Sequence, residues 1–485
     1  MESLMPLSRR TLISASAASL AFAGLARFAT ARTQDLQHQY DAIQADPYTS
    51  EVDGYGPLKT DPHGLFDLPE GFDYTIVSRA GEIMSDGLIT PHKTDGMGCF
   101  PLDADRVILM RNHELKLPDL GLGAYGAEQV LADKVDPAMI YDRTLDDDLL
   151  PGGVTRILYD LKGKKTVNVH LALTGTMVNC AGGSTPWGSW LSCEEIVQSA
   201  GDKVAKSHGW VFEVPSRNAG LTVPVPLTAL GRFRHEAACV DPRTGILYMT
   251  EDEGDGYGLF YRFLPNAPGE LAKGGRLQAL GLKDEPEGGD SRNWTETTWT
   301  VGQSRPVAWI DLDGVDNPHE DLRARGHNAG ASWFARGEGI FFGKDELYFA
   351  CTSGGPKRFG QIMRYVPSAH EGQPGEADAP GTIQLLVEPT DRKVMNMCDN
   401  IAVSPWGHLF VCEDKIGGVN YLKAVSPQGK IYTMGRNAKP GGGDAATNSE
   451  LAGVCFSPDG TTLFVNVYYP GMTLAVTGPW GRFRG

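Results

Sequence analysis

The sequence predicts an all-β chain folded as a six-bladed β-propeller with long inter-strand insertions. Three observations carry this. Six segments repeat one grammar: a small or acidic turn, a short apolar run, a Pro/Gly/Asp turn, a second apolar run, and a polar or charged end. Outer strand-like runs that mix apolar and polar positions follow several of them, at 210–215, 258–263, 361–366 and 420–425. The 60 glycines and 31 prolines suit many turns and few long helices. A radial array of sheets around one channel accounts for all three.

In chain order, Ser8-Arg9-Arg10-Thr11-Leu12-Ile13 precedes an Ala-rich apolar run, and Ala29-Thr30-Ala31 has the small residues of a cleavage site. This reads as a twin-arginine export signal over 1–31. A polar, turn-rich linker is expected over 32–61, and the propeller over 62–485. The first repeat runs from Asp95-Gly96-Met97 to Arg111-Asn112-His113-Glu114. The second runs from Asn179-Cys180-Ala181-Gly182-Gly183 through a Pro186-Trp187-Gly188 turn to Cys193-Glu194-Glu195. The third begins at His235-Glu236 and ends at Thr250-Glu251-Asp252. The fourth begins at Arg336-Gly337-Glu338-Gly339, the fifth spans Cys398-Asp399-Asn400 to Glu413-Asp414, and the sixth covers 451–468. Insertions are expected at 120–150, 264–302 and 430–447.

The chain has 485 residues and a formal net charge of −16, which argues against nucleic acid as a partner. Beyond the leader no segment is apolar enough to span a bilayer, so a periplasmic or secreted protein is expected. Most of the eight cysteines sit inside apolar strand-like runs, where cysteine behaves as a small core residue, and few or no disulfides are expected. There is no CxxC pair, Walker loop, serine nucleophile elbow or EF-hand; the Asp311–Asn317 stretch lacks the spacing of a calcium loop.

Aligning the repeats on their central turns puts Cys180, Glu236, Glu338 and Asp399 at one equivalent position. It puts Glu195, Glu251 and Glu413, with Asn112 nearby, at another. Taken singly, each has an ordinary reading: a solvated strand-end acid, a packed thiol, an Arg336–Glu338 ion pair. His113 and His235 read as satisfied structural histidines. Their coincidence across repeats points to a shared metal centre, because converging buried carboxylates repel and lose hydration without cations. Oxygen-rich cages suit calcium. A thiolate among them suits iron or another transition metal. Arg336 is placed to clamp phosphoryl oxygens beside such a centre.

At these residues the chain resembles the PhoX family of alkaline phosphatases. The resemblance is carried by the 111–114, 179–188, 234–236, 250–252, 336–339 and 398–400 motifs and by the twin-arginine leader. It implies a six-bladed propeller that holds two ferric and three calcium ions. It implies Cys180 as an iron ligand, with Glu195, Glu251, Glu338 and Glu413 holding iron or calcium, and Arg336 contacting phosphate. Glu114, Glu236, Asp399 and Asn400 complete the candidate metal set. The implied activity is phosphomonoester hydrolysis on small phosphorylated substrates, after export through the twin-arginine machinery. The alternatives are a calcium-dependent propeller hydrolase of lactonase type and a non-catalytic binding propeller.

Overall fold

The computed structural model describes residues 37–415, 417–440 and 449–485. The expected export signal lies outside them, as does part of the expected linker. Helix α1 (37–45) seats Ile43 against Val419 and Tyr421. Strands β1 (Leu58–Lys59) and β2 (Phe66–Pro69) then extend the fifth repeat, and β3 (Asp73–Arg79) joins the sixth.

The chain is all-β and propeller-like. The first repeat forms a four-stranded sheet of β4 (Thr94–Pro101), β5 (Arg106–His113), β6 (Gly152–Asp160) and β7 (Lys165–Thr176). The second has three strands, β8 (Asn179–Ser184), β9 (Ser189–Glu194) and β10 (Val211–Pro215). The third supplies β11 (His235–Val240), β12 (Leu247–Glu251), β13 (Phe260–Pro265), β14 (Gly275–Leu282) and β15 (Ser304–Asp311). After the short helix α2 (Leu322–Asn328), the fourth supplies β16 (Gly337–Phe342), β17 (Leu347–Cys351), β18 (Gln361–Val366) and β19 (Thr382–Val387). The fifth is β20 (Cys398–Val403), β21 (Leu409–Glu413), β22 (Tyr421–Val425) and β23 (Ile431–Asn437), continued by β2 and β1. The last is β24 (Leu451–Phe456), β25 (Thr462–Val467) and β26 (Met472–Thr477), completed by β3.

The expectation of six separate blades is corrected: among the described residues, hydrogen bonding makes five sheets. Ser304, Arg305 and Pro306 of β15 pair with Thr382, Ile383 and Gln384 of β19, and this fuses the third and fourth repeats into one nine-stranded sheet. The second repeat stops at three strands. Closure of the circuit is strand-based, because β3, from the start of the domain, pairs along all of β26 near its end. The eight cysteines are unpaired, and six of them are fully buried in the core.

The first strands β4, β8, β11, β16, β20 and β24 lie side by side in a closed circuit around the axis. Their approach is too close for side chains at some crossings. A Cβ on Gly183 would sit 1.9 Å from the Ala238 carbonyl oxygen, and one on Gly339 would sit 2.6 Å from Asn400 Cα. Glycine there is a packing requirement.

The three-stranded sheet is secured by side chains. His208 is fully buried, with Nδ1 2.7 Å from Glu194 Oε1 and Nε2 3.2 Å from Asp142 Oδ2. Burial alone would lower the imidazole's proton affinity, but the two carboxylates outweigh it and raise His208 to about 9. The folded state therefore holds this proton more tightly than the unfolded chain. Its contribution is complete below about pH 6.5 and is lost as pH rises through about 9, a difference of about 3 kcal/mol. Two outcomes are expected. The urea midpoint falls between pH 7 and 9.5, and His208→Gln flattens that fall; an unchanged slope in the variant refutes the clamp. Gly183→Ala lowers stability by about 2–3 kcal/mol at unchanged m, while Gly220→Ala, with open space at its Cβ, is near neutral.

Candidate metal centre

Each of the six first strands carries a register shift against its second strand at the same place. In β4, Thr94 pairs with His113 and Met97 with Arg111, so the inner strand carries one extra residue. The same offset occurs between 179 and 182, 235 and 238, 337 and 340, 398 and 401, and 452 and 455. A bulge kinks the strand and re-aims a side chain. The first residue inside each bulge is Asp95, Cys180, Glu236, Glu338, Asp399 and Gly453 in turn. Five of the six offer an oxygen or sulfur ligand atom.

Three groups of ligand atoms each lie within 4.8 Å of one another: Cys180 with Glu195 and Glu236, Glu236 with Glu338 and Asp399, and Asp95 with Glu114 and Glu450. Cys180 Sγ lies 3.6 Å from Asp95 Oδ2, which links the first group to the third. Glu236 belongs to two groups. It is wholly buried, and neither carboxylate oxygen has a hydrogen-bond partner. A buried carboxylate with two orphaned oxygens, facing acids and a thiol, is the donor set of a multivalent cation. The residues present therefore fit the implied metals.

Electrostatics agree. Burial, then Glu338 and Asp399, pushes Glu236 well above the usual carboxylate range. Burial, then Glu114, Asp399 and Glu195, does the same to Asp95. Glu195 rises through burial, Asp252 and Glu114, and Asp399 rises to about 8 through burial and Asp414. Burial followed by Asp95 and Glu236 keeps the Cys180 thiol protonated in the absence of a cation. Asn112 holds the thiol's backbone. Its amide donates to the Cys180 and Ala181 carbonyls at 3.2 and 2.6 Å, and its oxygen accepts from Trp190 Nε1 at 2.8 Å.

Among the candidates, Cys180, Glu195, Glu236, Glu338, Asp399 and Glu114 converge in these groups. Glu251 and Glu413 stand outside them. Glu251 Oε2 accepts from Leu259 N at 2.8 Å and from the Tyr261 hydroxyl at 2.9 Å. Glu413 accepts from Asn396 N at 2.8 Å and Tyr421 N at 3.1 Å, and it pairs with Lys415 at 2.9 Å. By strand register their counterpart is Glu194, which likewise accepts from Gly209 N and Trp210 N, and not Glu195. The second ring is therefore one residue further on, at Glu114, Glu195, Asp252 and Asp414. Asn400 is committed too: its oxygen accepts from Gly453 N at 2.7 Å, and its amide donates to Asp399 at 3.0 Å. His113 bridges the His92 carbonyl and Thr155. His235 sits against the Gly231 carbonyl.

Sequence reading passed over Asp95, Asp252, Asp414, Glu450 and Lys116. For Asp95 the signal was present, since it opens the first repeat as Cys180 opens the second. Lys116 pairs with Glu114 at 2.9 Å, and Tyr468 donates its hydroxyl to the same carboxylate. Arg336 takes a left-handed backbone, φ 58°, a strained choice for a residue with a Cβ. Its Nε and Nη2 bind Asp252 at 2.8 and 2.6 Å, and Nη2 reaches Glu338 at 3.2 Å. These acids outweigh burial and keep the guanidinium charged.

Glu236→Gln is expected to raise the Tm of chelator-treated protein by about 1–3 °C, because it removes a carboxyl group that, without a cation, must take up a proton when the chain folds. The same change should lower the metal content of protein purified without chelator, read by elemental analysis. A lower Tm in both states would show a purely structural role.

The profile of the family described as alkaline phosphatase PhoX matches residues 53–158 and 153–471. No curated protein matches the chain. Among solved structures, Pseudomonas fluorescens PhoX in complex with vanadate, a transition state analogue, superposes with a TM-score of 0.63 at 19% identity over 89% of this chain and 97% of that one. XC5397 of Xanthomonas campestris, a gluconolactonase, reaches a TM-score of 0.37 at 11% identity over 90% and 99%. The Myceliophteria thermophila Cps50 (Swd1) β-propeller domain reaches 0.38 at 10% over 84% and 100%. The family profile spans most of the chain, through all six repeats and the acids they bring together, and the chain belongs to the PhoX family of alkaline phosphatases.

Proposed function

We propose that the axial centre hydrolyses phosphate monoesters with iron and calcium, two ferric and three calcium ions as the family resemblance implies. The observation that carries this is Glu236: wholly buried, unpartnered at both oxygens, and shared between two ligand groups. Cys180, Glu195, Glu236, Glu338, Asp399, Asp95, Glu114 and Glu450 would hold the cations. When bound, these would neutralise phosphoryl oxygens and supply Lewis acidity.

The chain's own residues set up the rest. Asp252 grips the guanidinium of Arg336 through Nε and Nη2, which fixes its plane and leaves Nη1 to donate to a phosphoryl oxygen. Asn112 holds the Cys180 backbone, and the bulges hold the acids, so the charge pattern is set before substrate arrives. Lys116, half exposed beside Glu114, adds a cation at the mouth. Vanadate bound by the Pseudomonas fluorescens protein supports a phosphoryl-transfer reading of this site. Residues 1–31 would direct export by the twin-arginine route, and 62–485 would form the catalytic domain. No helix of the described residues is long and apolar enough to cross a membrane.

Exported protein is expected to contain iron together with calcium and to hydrolyse p-nitrophenyl phosphate, an activity abolished by chelation. Calcium alone would favour a lactonase-type hydrolase, and full metal loading without turnover a binding propeller. Arg336→Ala should lower kcat by about 10²–10³-fold. Cys180→Ala at full iron content and full rate would refute the assignment.

A further inference from the structure

A cavity of about 300 Å³ adjoins the centre and shares Glu195 with it. Its size lies at the lower end of small-molecule pockets. One wall is apolar, made by Leu117, Pro118, Met177 and Ile196. The other polar groups around it are mainly cationic: Lys116, Lys203 and Arg234. Lys116 pairs with Glu114 at 2.9 Å and so stands between the cavity and the ligand groups. Arg234 is only loosely engaged, 3.6 Å from Glu253, and its side chain is 42% exposed. Lys203, which also lines the cavity, is exposed. Three cations around one apolar pocket stand out on a chain of net charge −16.

From this we infer that the cavity receives the leaving-group half of a phosphate ester whose organic body carries a second anionic group. This rests on the phosphomonoesterase reading and deepens it. The phosphoryl group belongs at the acid-lined centre, where cations and Arg336 meet it. The ester oxygen then points to the rim, and Glu195 joins the two compartments. A flat or branched carbon body covers the apolar wall, and its distal carboxylate or second phosphate meets Lys203 and Arg234. An uncharged alcohol would leave that cationic lip unused.

The test uses the metal-loaded exported protein and two non-hydrolysable probes, benzylphosphonate and 4-carboxybenzylphosphonate, with dissociation constants from calorimetry. The carboxylated probe is expected to bind about ten-fold more tightly at low salt, and the preference should shrink as ionic strength rises. Lys203→Ala with Arg234→Ala should bring the ratio near one, and Lys203→Arg should keep it. Equal affinities in the wild type, or a ratio unmoved in the double variant, overturns the inference and leaves p-nitrophenyl phosphate turnover as separate evidence for the enzyme. A preference without turnover of p-nitrophenyl phosphate overturns the leaving-group assignment together with the phosphatase reading.

Discussion

Mutual repulsion among buried acids is the constraint from which the rest follows. Asp95, Glu236, Glu338 and Asp399 enter the axis from four different inner strands, with Cys180 from a fifth, and burial raises the proton affinity of all five. Nothing in a β-sheet requires acids there. Apolar residues would pack more cheaply, as they do at the other end of the same strands, where Ile340, Ile401 and Cys455 line the channel. A fold that keeps so many unfavourable groups in one place is organised to bind charge of the opposite sign.

The propeller-like arrangement makes this possible because it delivers one residue per inner strand to a common axis. A bulge at the same register in all six strands turns that residue inward, and glycines at the crossings let the strands approach. Behind the hub, a second set of carboxylates has a different task. Glu194, Glu251 and Glu413 accept from backbone N–H groups at or near the start of the next strand. They lock the strand ends from which Glu195, Asp252 and Asp414 project. Structural acid and hub acid are therefore adjacent in sequence, and mutation of either would disturb the other.

That adjacency explains what could be read in advance. Repeat grammar exposed the six inner strands and the first-ring residues Cys180, Glu236, Glu338 and Asp399, because turn chemistry and apolar runs fix them locally. Strand register puts Glu251 and Glu413 level with Glu194, one residue before Glu195; Glu-Asp and Glu-Glu pairs look alike until strand pairing shows which member faces the neighbouring backbone. The fusion of the third and fourth repeats depends on the Ser304–Pro306 segment meeting Thr382–Gln384, a long-range pairing with no local signal. Lys116 and Arg234 were hidden for a related reason: their meaning comes from which loops share a cavity.

Protons and bound cations would compete for the same hub atoms, which would give the centre a pH dependence opposite to that of its scaffold. Cations must displace protons from groups whose affinities are all raised, so loading is favoured as pH increases. The His208 clamp runs the other way, because it keeps its charge only below about 9. The two meet at Glu194 and Glu195, neighbours at the end of β9, one tied to His208 and the other facing Cys180. Alkaline conditions strengthen the charge centre while loosening the strand that presents Glu195. A cation bound at Glu195 would in turn hold that strand end in place, and at high pH it would take over part of the work that His208 does at neutral pH.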